Sequence, residues 1–333
     1  MPYRYIPVVR TKAGEADALG NLSPAARAKT FPLVRLGATV PPTFLPRMTL
    51  QAAGMPLALD GVYNFDATGS AVVFNSLFDG LGQNGFPVIP VISYRATQAY
   101  NFAAAQTIGR YSPGFLLQIP LADLPHLAAW VAQAPQWAPD QIDVLIDAAG
   151  VAEHDPNQMG DYIAHTINAA NITAQPWRSI TLHSWSAPKD VGQLNPGRNQ
   201  VSRHDWLVWM RSRNLVDFQL DYSDSGHVHP SLDEVPGYAM ANATVSVRYA
   251  VDDDWIIHKG VSTTGPNGIP MGIQYRGHAR ALIAEPLFGG VAGCWGDTRV
   301  QHYASTPAGT GGRGQWAALL LNRHISLVAN RIP

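Results

Sequence analysis

Asp147, His183 and Asp221 close three successive apolar runs of the chain, and their side chains are of the types that move protons. A histidine between two carboxylates has its protonated form stabilised and can both give and take a proton. This makes His183 the candidate acid or base, with Asp147 and Asp221 orienting it. Arg10, Arg35, Asp60, Arg95 and Gln118 end other runs or follow them closely, Lys12 and Glu15 come just after the first run, and Arg203 opens a helix-period segment. Guanidinium and ammonium groups gathered at one rim suit an anionic ligand such as a phosphate, nucleotide or carboxylate, because the guanidinium fork grips these groups through paired hydrogen bonds. A structural role competes with this reading, since polar residues at strand ends also bond loop backbone.

These residues meet only if the runs are strands of one sheet. Apolar runs bounded by Pro, Gly or Asp occur at 5–10, 32–36, 56–60, 87–93, 114–119, 142–147, 179–184 and 216–221, with helix-period segments between several of them. Eight such βα units predict an α/β fold, a (β/α)8 TIM-barrel-like arrangement whose functional groups sit at the C-terminal strand ends. Alternation along each strand turns Asp147, His183 and Asp221 inward. Asp143, roughly 13 Å down the sixth strand, belongs to the barrel floor.

Helices are read at Leu124 to Val131, Met159 to Ile167 and Trp206 to Met210, with Asp155 as an N-cap ahead of Pro156. Beyond the eighth run the pattern changes. Residues 244–249 and 255–259 predict a β-hairpin, and 272–285 and 315–330 predict closing helices. The chain is thus expected to form a single domain over 1–333, with 223–333 as a hairpin insertion and helices packed on the barrel. The Gly-rich stretch 307–314 is expected to be a mobile loop.

Composition bounds the function. The 333 residues are 46% hydrophobic and 14% charged, with 23 Lys+Arg against 24 Asp+Glu, which describes a folded chain without the basic surplus of a nucleic-acid-polymer binder. Sparse surface charge favours self-association, so a homo-oligomer is an expected partner state. One cysteine excludes an intramolecular disulfide framework and a Cys-based zinc cluster. With no long apolar run and no signal-peptide core, a cytoplasmic protein away from the membrane is expected.

The opening Tyr5-Ile-Pro-Val-Val-Arg-Thr-Lys12-Ala-Gly14-Glu15 resembles the N-terminus of the beta protein family of tailed phages and bacterial genomes. Further matches follow in order: Phe86 to Ile92, Ile142 to Asp147, Ser202-Arg-His-Asp-Trp206, Asp221-Tyr222, Val247-Arg-Tyr249 before Trp255, Lys259-Gly260, Gly296-Asp297, and Trp316 with His324. The resemblance implies a barrel-like fold and a phage or mobile-element setting, and it carries no agreed reaction. The chain departs from the family where it has Arg35 after the second strand in place of an acid, and Gln118 on the fifth in place of Arg.

Other signals read as structure. His227-x-His229 follows the eighth run, whereas a metal-dependent hydrolase would carry such a pair on the first strand, so no metal site is expected and the cofactor is left open. Ser202-x-x-Asp205 reads as a helix capping box, and His324 falls on the stripe of Trp316, Leu320 and Val328 as a core histidine. Two functions remain: a hydrolase acting on a phosphorylated or nucleotide-like substrate at the barrel rim, or a non-catalytic protein engaging a host or phage protein in phage–host conflict. The second predicts an exposed aromatic patch near Trp255; a virion building block is a weaker third.

Overall fold

Aliphatic runs broken by Pro, Gly and polar residues leave short strands no choice but to bury both faces, and eight of them close into a parallel barrel. The computed structural model describes residues 4–133, 136–232, 244–306 and 309–333. Barrel strands are β1 (Tyr5–Arg10), β2 (Leu33–Arg35), β3 (Leu57–Asp60), β4 (Val88–Ser93), β5 (Phe115–Pro120), β6 (Ile142–Gly150), β7 (Ser179–Trp185) and, after an intervening β8 (Gly197–Ser202), β9 (Asp221–Asp224). Helices α1 (Ala13–Gly20) and α2 (Pro24–Lys29) follow β1, α3 (Phe44–Ala52) follows β2, and α4 (Val62–Thr68) with α5 (Val72–Gln83) follows β3. Next come α6 (Gln98–Ala105), α7 (Leu127–Ala132), α8 (Pro156–Ala169) and α9 (His204–Arg213). The stripe read as one helix from Leu124 is divided, because Pro125 confines Leu121–His126 to a 3-10 turn before α7 begins. Asp155 caps α8 by accepting from the amides of Asn157 and Gln158.

Inside the barrel, Ile6, Val8, Leu33, Ala58, Ile89, Val91, Leu116 and Leu145 fill the axis. Val144, Ile146, Leu182 and Tyr222 alternate outward into the layer shared with the helices. At the floor, Asp143 takes ion pairs from Arg4 at 2.7 Å and Arg178 at 2.6 Å, as its position on β6 predicts. Gly114 leads into β5 at φ +82°, and a Cβ there would overlap the Gln141 carbonyl oxygen. Gly114→Ala should therefore cost about 2–3 kcal/mol, read as a lowered urea midpoint; a loss within about 0.5 kcal/mol would show that the β5–β6 junction yields freely.

The expected hairpin is β10 (Ser246–Val251) paired antiparallel with β11 (Asp254–Lys259). It is not alone. The strand β8, with its polar Gly-Arg-Asn-Gln-Val-Ser sequence and largely exposed face, adds to β11 to make a three-stranded sheet. Three helices complete the chain: α10 (Met271–Ile283), α11 (Trp295–Ser305) and α12 (Arg313–Arg331). They share with the hairpin a second apolar core containing Val247, Tyr249, Ile256, Tyr275, Val300 and Trp316. Helix α12 serves both cores, with Trp316, Leu319 and Leu320 in this one and Leu321, Ile325 and Val328 in the barrel's. Of the glycine-rich stretch, 307–308 lie outside the described residues, and Arg313 and Gly314 already belong to α12. No helix among the described residues is long and apolar enough to cross a membrane.

Candidate functional site

Strand register decides which side chains share a level of the barrel. Neighbouring strands shift by about one residue per strand, so each layer draws its side chains from alternate strands. Asp60, Gln118 and His183 fall in one layer with Val8, and Arg35, Ser93 and Asp147 fall in the layer above, at the C-terminal mouth. Arg35 donates to Asp60 through Nε at 2.9 Å, and Gln118 donates to Asp147 Oδ2 at 2.8 Å. The other Asp147 oxygen accepts the Ala149 amide at 2.9 Å. These contacts leave Arg35, Gln118 and Asp147 partly open to solvent above a buried floor.

His183 lies just beneath the mouth and is fully buried. Its Nδ1 lies 2.9 Å from the Ser223 hydroxyl, which itself donates to the Ile6 carbonyl at 2.7 Å. With its proton committed to Ile6, Ser223 can only accept from His183, so Nδ1 carries the hydrogen and Nε2 keeps a lone pair. That Nε2 has no hydrogen-bond partner. Burial lowers the pKa of His183, against an opposing pull from Asp147, and the Arg35 charge lowers it further. A neutral imidazole with a bare, desolvated lone pair has the form of a general base.

The remaining expected site residues separate. Asp221 is the principal correction: β9 starts at Asp221, opposite Thr181, so this carboxylate sits near the floor with Arg4 and does not flank His183. Ser223 takes that place. Arg95 leaves the rim to pair with Asp123 at the surface, 2.5 Å away. Arg203 is wholly buried behind the barrel wall, over the rings of Trp206 and Trp255. Arg10 stays at the rim and pairs with buried Glu15 at 2.9 Å, whose pKa burial raises in spite of Arg10. Lys12 is exposed at the start of α1. With Arg10, Gly37 and Thr39 it lines a small cavity of about 30 Å³ over the ends of β1 and β2.

A second group was not legible in the sequence. Asp224 ends β9 facing outward and is wholly buried. Its carboxylate accepts from Tyr5 at 2.5 Å, His324 Nε2 at 2.7 Å, Tyr222 at 2.8 Å and the Gly226 amide at 2.9 Å, with Arg203 at 3.6 Å. Asp205 joins them: its carboxylate accepts from Ser186 at 2.5 Å and lies 3.1 Å from the Tyr222 hydroxyl. The capping-box reading of Ser202 and Asp205 is thereby overturned, because Ser202 bonds Asp254 instead and Asp205 points inward. Trp255 offers no surface patch; it is 1% exposed, and its ring stacks on that of His324 at 5.0 Å. A core role for His324 agrees with this arrangement. The network ties the barrel wall to α9, α12 and the hairpin sheet, away from the mouth.

A cavity of about 340 Å³ also opens at the opposite end, lined by Arg4, Arg178 and Asp221. These groups are already paired with one another or with Asp143, and barrels of this class do their chemistry at the C-terminal face. Among the described residues no group of three or more His, Cys, Asp or Glu is placed to hold a metal ion.

Buried imidazoles, His183 and His227 among them, set a pH dependence. Burial holds both His183 and His227 below the ordinary value of 6.5. The unfolded chain therefore binds protons that the folded chain refuses, and stability falls as pH drops through about 6.5. The urea midpoint should be lower at about pH 5.5 than at about pH 7.5, with a smaller difference in His227→Gln. An equal pH dependence in that variant would mean that His227 is not kept neutral by the fold.

A family model described as Beta protein matches residues 5–330. No curated protein matches the chain.

Proposed function

This chain belongs to the Beta protein family, and from that premise we propose that its barrel mouth hydrolyses a phosphorylated or nucleotide-like substrate. The bare Nε2 of His183 carries the reading. Leaving a buried acceptor unsatisfied costs about 1–3 kcal/mol, and at the C-terminal face of a barrel a water or a substrate proton is what would satisfy it. In the proposed step, Nε2 takes a proton from a water held at the mouth, the resulting hydroxide attacks phosphorus, and the P–O bond to the leaving group breaks. The leaving oxygen takes a proton from solvent. Ser223 fixes the tautomer, and Asp147, held by Gln118, stabilises the imidazolium that forms. Arg10 and Lys12 at the rim hold the anion.

The test is release of inorganic phosphate from a panel of nucleotides and phosphate monoesters by wild type and by His183→Gln. Turnover of a panel member by wild type that is lost in the variant supports the reading. Equal turnover by both, or no turnover of any member by wild type, overturns it.

A further inference from the structure

On the other side of Arg10 a larger cavity, of about 330 Å³, lies between the barrel rim and the C-terminal layer. Its walls come from distant parts of the chain: Lys189 after β7, His227 after β9, Arg248 on β10, and Arg313 and Trp316 on the first turns of α12. Four cationic side chains line it, one of them the Arg10 that pairs with Glu15, and among the described residues lining it there is no carboxylate. An undirected surface of this protein would not look so, since its acids and bases are nearly equal in number.

Two of the lining groups bear the marks of a built site. Arg248 is only partly exposed and holds its guanidinium in place by donating to the carbonyls of Pro188 at 2.7 Å and His227 at 3.3 Å. Burial lowers its pKa to about 10, with only an opposing pull from Asp190. It stays charged at neutral pH. His227 is 6% exposed, and its Nδ1 has no hydrogen-bond partner. A buried, unpartnered ring nitrogen beside a fixed guanidinium is what a hydrogen-bonding anion would satisfy. The first turn of α12 adds the positive end of a 19-residue helix.

We infer that this cavity binds the diphosphate group of a phosphoanhydride-bearing ligand. Several cations around one cavity match a compact, multiply charged oxyanion better than a single carboxylate, and guanidinium forks suit phosphate oxygens. The cavity is large enough for a small ligand. The inference rests on the catalytic reading only in treating this ligand as a substrate; binding itself needs no turnover.

Calorimetric titration of the full chain with inorganic pyrophosphate at low ionic strength tests it. Wild type should bind. Arg248→Gln should weaken binding by about tenfold or more, roughly the loss of one charge-assisted contact. Lys189 is exposed, so Lys189→Ala should fold normally, and it should weaken binding by about threefold. His183→Ala should bind as wild type does, which separates failure of the catalytic reading from failure of this one. A nucleoside diphosphate that binds more tightly than pyrophosphate would identify the ligand as a nucleotide. Equal affinity would assign recognition to the phosphates alone, and both results uphold the site. Absence of pyrophosphate binding at millimolar concentration, or binding undiminished in both cavity variants, overturns it.

Discussion

Asp224→Asn should cost the fold about 3–5 kcal/mol, a large part of the stability of an ordinary domain. The carboxylate accepts four hydrogen bonds with no solvent to replace any of them. An amide in its place would present donors to Tyr5, Tyr222 and His324, and would leave the buried Arg203 guanidinium facing a neutral group. Its pKa points the same way. Burial alone would raise it, yet His324 and Arg203 outweigh burial and hold the group well below the usual carboxylate range. A depressed folded pKa means that the contribution is complete above the ordinary value of 3.8 and fades as pH falls below it. Urea unfolding at neutral pH reads the effect. A double-mutant cycle with His324→Gln should return a coupling of about 0.5–3 kcal/mol. A single-variant loss under about 1 kcal/mol would mean that the surrounding donors find other acceptors and that the cluster does not hold the wall.

His183→Gln should lower phosphate release by about 10²–10⁴-fold, the range that a positioned general base contributes. Glutamine nearly fills the same space and can still meet Ser223, so stability should change far less than activity. Wild type should lose activity on the acid side as His183 takes up a proton, because only the neutral ring offers the Nε2 lone pair. The residual rate of the variant should not share that acid limb. A pH–rate profile of the same shape in both proteins would assign the titration to another group and remove His183 from the mechanism.

Much of the barrel is legible in the sequence because its strands are buried on both faces and so read as unbroken apolar runs. Seven of the eight expected runs overlap barrel strands closely, and alternation along β6 and β7 turns Asp147 and His183 inward in register with one another. The eighth run misleads for a physical reason. Phe218 and Leu220 alternate as a strand should, while the segment that closes the barrel is Asp-Tyr-Ser-Asp, polar because Asp221 meets the floor and Asp224 meets partners far along the chain. Its strand pairing is decided by β1 and β7, not by its own composition. At Asp205 the spacing misleads because a local Ser-x-x-Asp looks the same whether the acid turns to the helix end or to Tyr222. Strand β8 was invisible for want of an apolar face, since it lies at a sheet edge and most of its side chains meet solvent. Asp224 has no local signal; the imidazole it bonds is 100 residues further along the chain.

Helix α12 gives half its length to each of two cores, and the same helix carries His324 to Asp224. Neither core is complete without it. The protein should consequently melt in one cooperative step, and a protease that cuts between β9 and Arg313 should leave no stable barrel fragment behind, because such a fragment would have lost the helix that covers its own wall.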